Sequence, residues 1–344
     1  MAPAPRAAIA AFWSWWATAR SRFERALNST STGSPPAPEL AEEMTRQVKS
    51  IAPGLAWEFG PGRQQSRYYL CVTGEGTPEL RSVAERWVRA APSADAAWEY
   101  YPARPPTPEE ALEGVLELPG RFRAQRLRLA EARLDLRIDE DRQLIDVGVY
   151  HPLLRKLPER TRATPVFLLL GWLLGEDGVE RWVGRVDVHL TEPAGIVAAE
   201  ALPEVVRALA ARHPDPTWAV LQGRDKSGQP LLAVARRPLK RVDWPLFDLH
   251  GRLTVAGTAA PPPAELPEAF HWLTEAEDDL KALLGEHAVL VARETRLDRR
   301  SLHLYCDSEG PAPGLVDSWR KAQPHPLNVA WQQDPAWTAV QPFQ

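Results

Sequence analysis

Residues 67–98 read RYYLCVTGEGTPELRSVAERWVRAAPSADAAW, and the order of residue types along this stretch decides the fold class. Tyr68, Leu70 and Val72 alternate with their neighbours, which is the period of a strand with two unlike faces. Gly74-Glu75-Gly76 then turns the chain. Thr77 stands at a helix N-cap position and Pro78 at the first helical position, where its missing N–H has no intrahelical partner to lose. Leu80, Val83, Ala84, Trp87 and Val88 follow at helical spacing, and Trp98 and Tyr100 open a second strand. The same order returns near the other end of the chain: Arg300, the strand Leu302 to Cys306, the turn Glu309-Gly310, a helix with Leu315 and Trp319, then Trp331. Copies this far apart do not make a solenoid, whose period is ~20 to 50 residues. The sequence therefore predicts an α+β protein with two related modules, each helix-strand-strand-helix-strand with largely antiparallel sheets, flanking a middle segment.

Upstream of the quoted stretch, Leu40, Met44, Val48 and Ile51 mark a helix that Pro53-Gly54 ends. Leu55, Trp57 and Phe59 alternate into the turn Gly60-Pro61-Gly62, which predicts a hairpin with Tyr68 to Val72. Further back, Ile9, Phe12, Trp13, Trp16, Phe23 and Leu27 form one helical stripe that continues past Arg20 and Arg22. A secretory signal is seldom built from tryptophan and needs no such stripe, so an amphipathic docking helix is expected, with a linker from Asn28 to Pro38. The first module is expected to span residues 1–104, up to the proline-rich boundary Pro102 to Pro108.

The middle segment, residues 109–260, holds the hairpin Leu134, Leu136, Ile138 and Ile145, Val147, Val149 around the acidic turn Asp139 to Asp141. Pro165 to Gly175 is apolar on every side yet shorter than the ~20 residues of a membrane span, so it predicts the most buried helix of the chain, capped by Gly175. A strand Trp182 to Leu190, a helix with Leu202, Val205, Val206 and Leu209, and a hairpin Trp218 to Val234 complete this segment. After Pro261 to Pro263 the last module, residues 264–344, is expected to hold the acidic helix Glu275 to Leu284 and the strand Val289 to Ala292 ahead of the repeated stretch.

Composition excludes more than it assigns. The 344 residues are 44% hydrophobic and 25% charged, as in folded globular chains rather than disordered ones. A net charge of -4 gives no general field for phosphate backbones, so no nucleic-acid partner is expected. Arg121, Arg123, Arg126 and Arg128 make the densest basic cluster, but Glu117 and Glu131 flank it and only Phe122 could stack a base, which predicts a guarded strand edge. Cys71 and Cys306 frame neither a disulfide scaffold nor a zinc site, and a reducing cytoplasm is the expected compartment.

Catalytic signatures are absent. Gly74-Glu75-Gly76 follows a strand and opens a helix, but Glu79 stands where a dinucleotide loop needs its third glycine, and the Glu75 carboxylate would repel a pyrophosphate. No phosphate-binding Gly-x-x-x-x-Gly-Lys loop and no Gly-x-Ser-x-Gly elbow occurs. The eight histidines never stand four apart in ligand spacing, so neither metal nor cofactor is expected. One constellation stays open: His151 and His189 could meet across a sheet, with Asp187 orienting them for acid-base chemistry.

Phe12-Trp13-Ser14-Trp15-Trp16, Gly54-Leu55-Ala56-Trp57-Glu58-Phe59, the Gly-Glu-Gly turn and Ala90-Ala91-Pro92 with Trp98 together resemble long bacterial proteins of the family catalogued as domain of unknown function 695. Gly228-Gln229-Pro230-Leu231-Leu232, Asp243-Trp244-Pro245 and the strand Ser301 to Cys306 are similar to its C-terminal half. The resemblance covers nearly the whole chain and is carried by turns and core aromatics, so it brings no catalytic residues. Its outline is similar to the small regulator of ribonuclease activity B group, and by that analogy it implies a binding role. The chain departs from the family in its richness in Pro, Arg and Ala. The expected function is thus a non-catalytic, cytoplasmic protein-binding or regulatory factor, with a toxin-immunity protein as a special case and an enzyme using His151, Asp187 and His189 as the alternative.

Overall fold

Burial of the tryptophan-rich stripe organises the first of the two units, Met1–Pro214 and Asp215–Gln344, into which the chain divides. The structure is a computed structural model and describes residues 5–29, 37–107, 115–118, 125–224, 228–256, 271–296 and 299–343. Helices α1 (Pro5–Ser29) and α2 (Pro38–Ile51) precede strands β1 (Ala56–Pro61) and β2 (Tyr68–Thr73), helix α3 (Pro78–Arg89) and strand β3 (Trp98–Tyr101). Most of the expected linker from Asn28 to Pro38 lies outside the described residues. β1 and β2 form the expected antiparallel hairpin with Phe59 opposite Leu70, and α3 crosses over to set β3 parallel to β2. α3 begins at Pro78 with Thr77 as its N-cap, though the Thr77 hydroxyl makes no capping bond. Ile9, Phe12, Trp16 and Phe23 of α1, Met44, Val48 and Ile51 of α2, and Ala84 and Trp87 of α3 bury against Leu70, Val72 and Trp98 in one core.

The rest of the first unit is built on a second sheet. A two-stranded hairpin, β4 (Val115–Leu118) with β5 (Gln125–Arg128), precedes it, and the arginine cluster falls partly on β5, with Arg121 and Arg123 outside the described residues. Strands β6 (Arg133–Asp139) and β7 (Leu144–Tyr150) pair as the expected hairpin. Helix α4 (Ala163–Trp182) then carries the chain to β8 (Val183–His189), followed by the two-residue β9 (Val197–Ala198) and helix α5 (Ala201–Arg212). The sheet order is β8-β7-β6-β9, with β7 and β8 parallel. The parallel pairing arises because α4 returns the chain to the end of the sheet from which β7 started, whereas the departure from the largely antiparallel expectation for the modules is the parallel pair β2-β3.

One expectation about α4 is corrected and one holds. It is not the most buried element: Val166, Leu169, Leu170 and Leu173 are buried, but Phe167 is 52% exposed. In the second unit a strand from Arg299 to Cys306 is buried at every residue after its first. Gly175 does end the apolar helix, as expected. It leaves helical geometry at φ 71, ψ 171, and helix resumes through Trp182. The cause is the chain crossing there: a Cβ on Gly175 would stand 2.9 Å from the Arg104 carbonyl oxygen, which instead accepts the Glu176 N–H at 3.0 Å. The same crossing strap donates the Thr107 N–H to the Trp172 carbonyl at 2.7 Å. Arg104 adds charge to this contact, with its guanidinium 2.6 Å from Glu58 and 3.1 Å from Glu176, and Arg81 of α3 pairs with Asp177 at 2.8 Å. Because Leu169 sits in the sheet-facing core, Leu169→Ala is expected to lower stability by about 2 to 5 kcal/mol in a denaturant titration.

The second unit is a single sheet with helices on one face. Its elements are β10 (Thr217–Arg224), β11 (Pro230–Arg237), β12 (Leu249–Ala256), α6 (His271–Leu284), β13 (Ala288–Arg296), β14 (Arg299–Cys306), α7 (Ala312–Lys321) and β15 (Asn328–Gln333). The strand order is β10-β11-β13-β14-β12-β15. The expected segments 109–260 and 264–344 therefore do not coincide with the units. The hairpin β10-β11 and the strand β12 lie before the Pro261 to Pro263 run but hydrogen-bond into the sheet that follows it. A proline run interrupts local structure without saying which strand edges will meet. Leu280, Leu284, Val316 and Trp319 cover Leu253, Leu302, Leu304 and Cys306 on one face. On the other, Trp337, Val340 and Phe343 cover Ala233, Ala235, Val291 and Tyr305.

The two stretches singled out from the sequence share strand, turn, helix and strand in that order, and Trp87 and Trp319 are both buried. They differ in their sheets. β2 lies directly beside β3, whereas β12 is inserted between β14 and β15. Their turns differ as well: Glu75 and Gly76 take left-handed backbone, at φ 48 and 79, while Asp307 closes the second turn by accepting the Glu309 N–H on its carboxylate at 3.0 Å. Among the described residues, no helix is long and apolar enough to cross a membrane.

Candidate functional site

His151, Asp187 and His189 each face a different neighbour. His151 follows β7 and is buried; its Nδ1 accepts the Leu153 N–H at 3.0 Å, which leaves Nε2–H to donate to the Arg128 carbonyl at 3.1 Å. Burial pushes its pKa below the ordinary histidine value, with the Arg128 carbonyl and the Glu131 carboxylate opposing. Asp187 points its carboxylate to Arg185, at 2.8 Å, on the exposed side of β8. His189 stands two residues on, with Nε2 3.6 Å from Asp135 Oδ2. The carboxylate facing His189 is therefore that of Asp135 on β6 rather than the expected Asp187, and it stands too far off to make a hydrogen bond to the ring. Gly148 of β7 makes their approach possible, since a Cβ there would lie 2.1 Å from His189 Nε2. A glycine inside an otherwise apolar strand was the available signal, because it marks a close approach of another group.

The outer side of α4 is a different kind of surface. Phe167 is the exposed ring; Leu168, Trp172 and Leu174 are half-buried, and Gly171, one turn beyond Phe167, faces open space. A helix that is apolar all round belongs in an interior, with neighbours on every side. Here the sheet and α5 cover one side through Leu169, Leu170 and Leu173, while the Phe167 side meets solvent.

In the second unit, strand pairing assembles a polar cluster that the sequence does not announce. His250 of β12 and His303 of β14 stack with ring centroids 5.2 Å apart, and His250 Nε2 stands 3.1 Å from His303 Nδ1. On its far side, His303 Nε2 is 3.5 Å from Glu294 of β13. Next to this pair, the Tyr305 hydroxyl donates to Asp334 at 2.6 Å, and Asp334 also accepts the Thr338 and Ala339 N–H groups, both at 2.8 Å. Burial first, and the neighbouring imidazole of His303 second, hold His250 down at about 4. The His303 imidazole, aided by Arg296, holds Glu294 at about 2. Only the β12-β14 register, with His250 opposite Tyr305, brings residues 53 positions apart into contact. His250, His303, Tyr305 and Asp334 are buried and Glu294 is half-buried, so this cluster braces the sheet beneath the Trp337 to Phe343 cap.

Among the described residues, no group of three or more His, Cys, Asp or Glu is placed to hold a metal ion. Compared with family models, curated proteins and solved structures, the chain shows no match.

Proposed function

We propose that the chain is a protein-binding factor that receives its partner on the outer face of α4. One observation carries this reading: Phe167 is 52% exposed on a helix whose composition calls for cover on every side. The partner on this reading presents an apolar surface that seats Phe167 and fills the step above Gly171. The enzymatic alternative draws no comparable support, since His151 is bound to the Arg128 carbonyl and Asp187 to Arg185, while His189 stands 3.6 Å from Asp135, so each of the three faces a different neighbour. The reading includes a reducing, cytoplasmic setting, supported by the two buried free thiols Cys71 and Cys306. It also takes the two strand-turn-helix-strand stretches as related modules, and it keeps the resemblance to domain of unknown function 695 with the binding role that it implies. An immunity protein is the special case in which the partner is a toxin.

The test is affinity capture from the lysate of a related bacterium with the wild-type chain and with Phe167→Lys. The wild type is expected to retain a stoichiometric protein and the variant to lose it, with an unchanged melting temperature because the site is half exposed. Equal retention by the two would remove the α4 face from the reading. A phenotype abolished by changing His151, Asp187 and His189 together to Ala, with capture intact, would move the function to catalysis.

A further inference from the structure

β10 is an edge strand without the usual guards. It pairs with β11 along its whole length, from Thr217 opposite Arg237 to Arg224 opposite Pro230, with no bulge. Among the described residues, no strand pairs with its other edge. Trp218 is 43% exposed and Val220 64% exposed, and they share one face. No charged residue and no proline stands between Thr217 and Gly223. Exposed edges are ordinarily blunted by lysine, proline, bulges or shortness. The opposite edge strand of the same sheet, β15, also lacks charge and proline, but it exposes Asn328, Ala330, Gln332 and Gln333, with no large apolar side chain among them.

We propose that β10 pairs antiparallel with β10 of a second copy of this chain, about a two-fold axis at Ala219, so that the two sheets become one. The sequence of the edge is complementary to itself in this register. A two-fold axis normal to a sheet keeps each face on its own side, so residues opposed across it must be an even number of positions apart and the axis must pass through a residue. Placed at Ala219, it sets each Trp218 opposite the other copy's Val220, giving two aromatic-to-β-branched cross-strand pairs around the small side chain of Ala219. One step along, at Val220, it would set Trp218 against Gln222. Charge is compatible with the same arrangement. Asp215, two residues ahead of β10, and Arg224, its last residue, are exposed, and antiparallel pairing about Ala219 sets each Arg224 opposite the other copy's Pro214, beside Asp215. Parallel pairing would set like charges together. This surface belongs to the second unit and is independent of the partner face on α4.

Sedimentation velocity on the full-length chain, from nanomolar to high micromolar concentration, tests the proposal. A reversible monomer-dimer equilibrium that stops at the dimer is expected. Val220→Glu should weaken it on the order of tenfold, because both cross-strand pairs are lost at once. Asp215→Arg and Arg224→Asp should each weaken it, and the double variant should recover wild-type association because the charges are exchanged rather than removed. Circular dichroism should be unchanged throughout. Phe167→Lys should leave the dimer intact, which keeps failure of the α4 reading distinct from failure here. A wild type that is monomeric at every concentration, association indifferent to Val220→Glu, or a double charge variant weaker than either single one would overturn the proposal.

Discussion

Trp16→Ala is expected to destabilise the first unit by about 3 to 5 kcal/mol, the range for deleting a large buried aromatic ring. The indole lies at the meeting point of three elements. It stands edge-on to Trp98 at 5.0 Å, contacts Phe23 at 5.4 Å and Phe59 at 6.4 Å between centroids, and donates its N–H to the Tyr100 hydroxyl at 3.1 Å. Truncation would leave a cavity bordered by α1, β1 and β3, and would remove the donor that Tyr100 accepts. These elements cannot close the gap, because α1 is also fixed by Trp13 stacking on Trp87 at 4.8 Å and by its N–H bond to the Trp87 carbonyl. Trp15 provides the control. It is only half-buried and its N–H reaches Glu43 at 2.9 Å, so Trp15→Ala should cost clearly less. Equilibrium denaturation of the two variants measures the contrast. Equal losses, or a Trp16→Ala loss below about 1 kcal/mol, would mean that the aromatic core is not what holds α1.

That core was legible because periodicity alone reveals which residues share a face. The stripe Ile9, Phe12, Trp16 and Phe23 buries as its spacing requires, and the hairpins β1-β2 and β6-β7 register as their alternation and turns require. Periodicity does not name the partner of a face or of an edge. Nothing in Leu249 to Ala256 says that this strand will enter between β14 and β15, and so nothing in the sequence places His250 against His303. The same limit applies to α4. Its run of leucines predicts burial, but the number of layers available to cover it is a property of the assembled unit, and among the described residues Phe167 is left half exposed. Asp135 was missed for a related reason. Its contact with His189 depends on the missing side chain of Gly148 on the strand between them, which no spacing rule reports.

Lowering the pH from 7 towards 2 is expected to destabilise the second unit continuously, through two adjoining windows set by the buried cluster on β12, β13 and β14. His250 protonates at an ordinary value of 6.5 when unfolded but only at about 4 when folded. The unfolded chain therefore binds the extra proton first, and the stabilisation is fully present above 6.5 and lost as the pH falls to about 4. The size of that shift corresponds to roughly 3 kcal/mol. Asp334 opposes it and Arg252 adds to it. Glu294 takes over below. Its ordinary value is 4.5 and its folded value about 2, so its stabilisation is present above 4.5 and lost as the pH falls towards 2. Urea midpoints for the second unit, measured from pH 7 to pH 3, should fall throughout rather than level off near pH 5. His250→Gln retains an amide able to meet His303 Nδ1 but cannot titrate, so it should flatten the curve between pH 6.5 and 4 while leaving the fall below 4.5 in place. A wild-type midpoint constant from pH 7 to 5, or a variant as steep as the wild type in that window, would show that His250 does not remain neutral in the folded sheet.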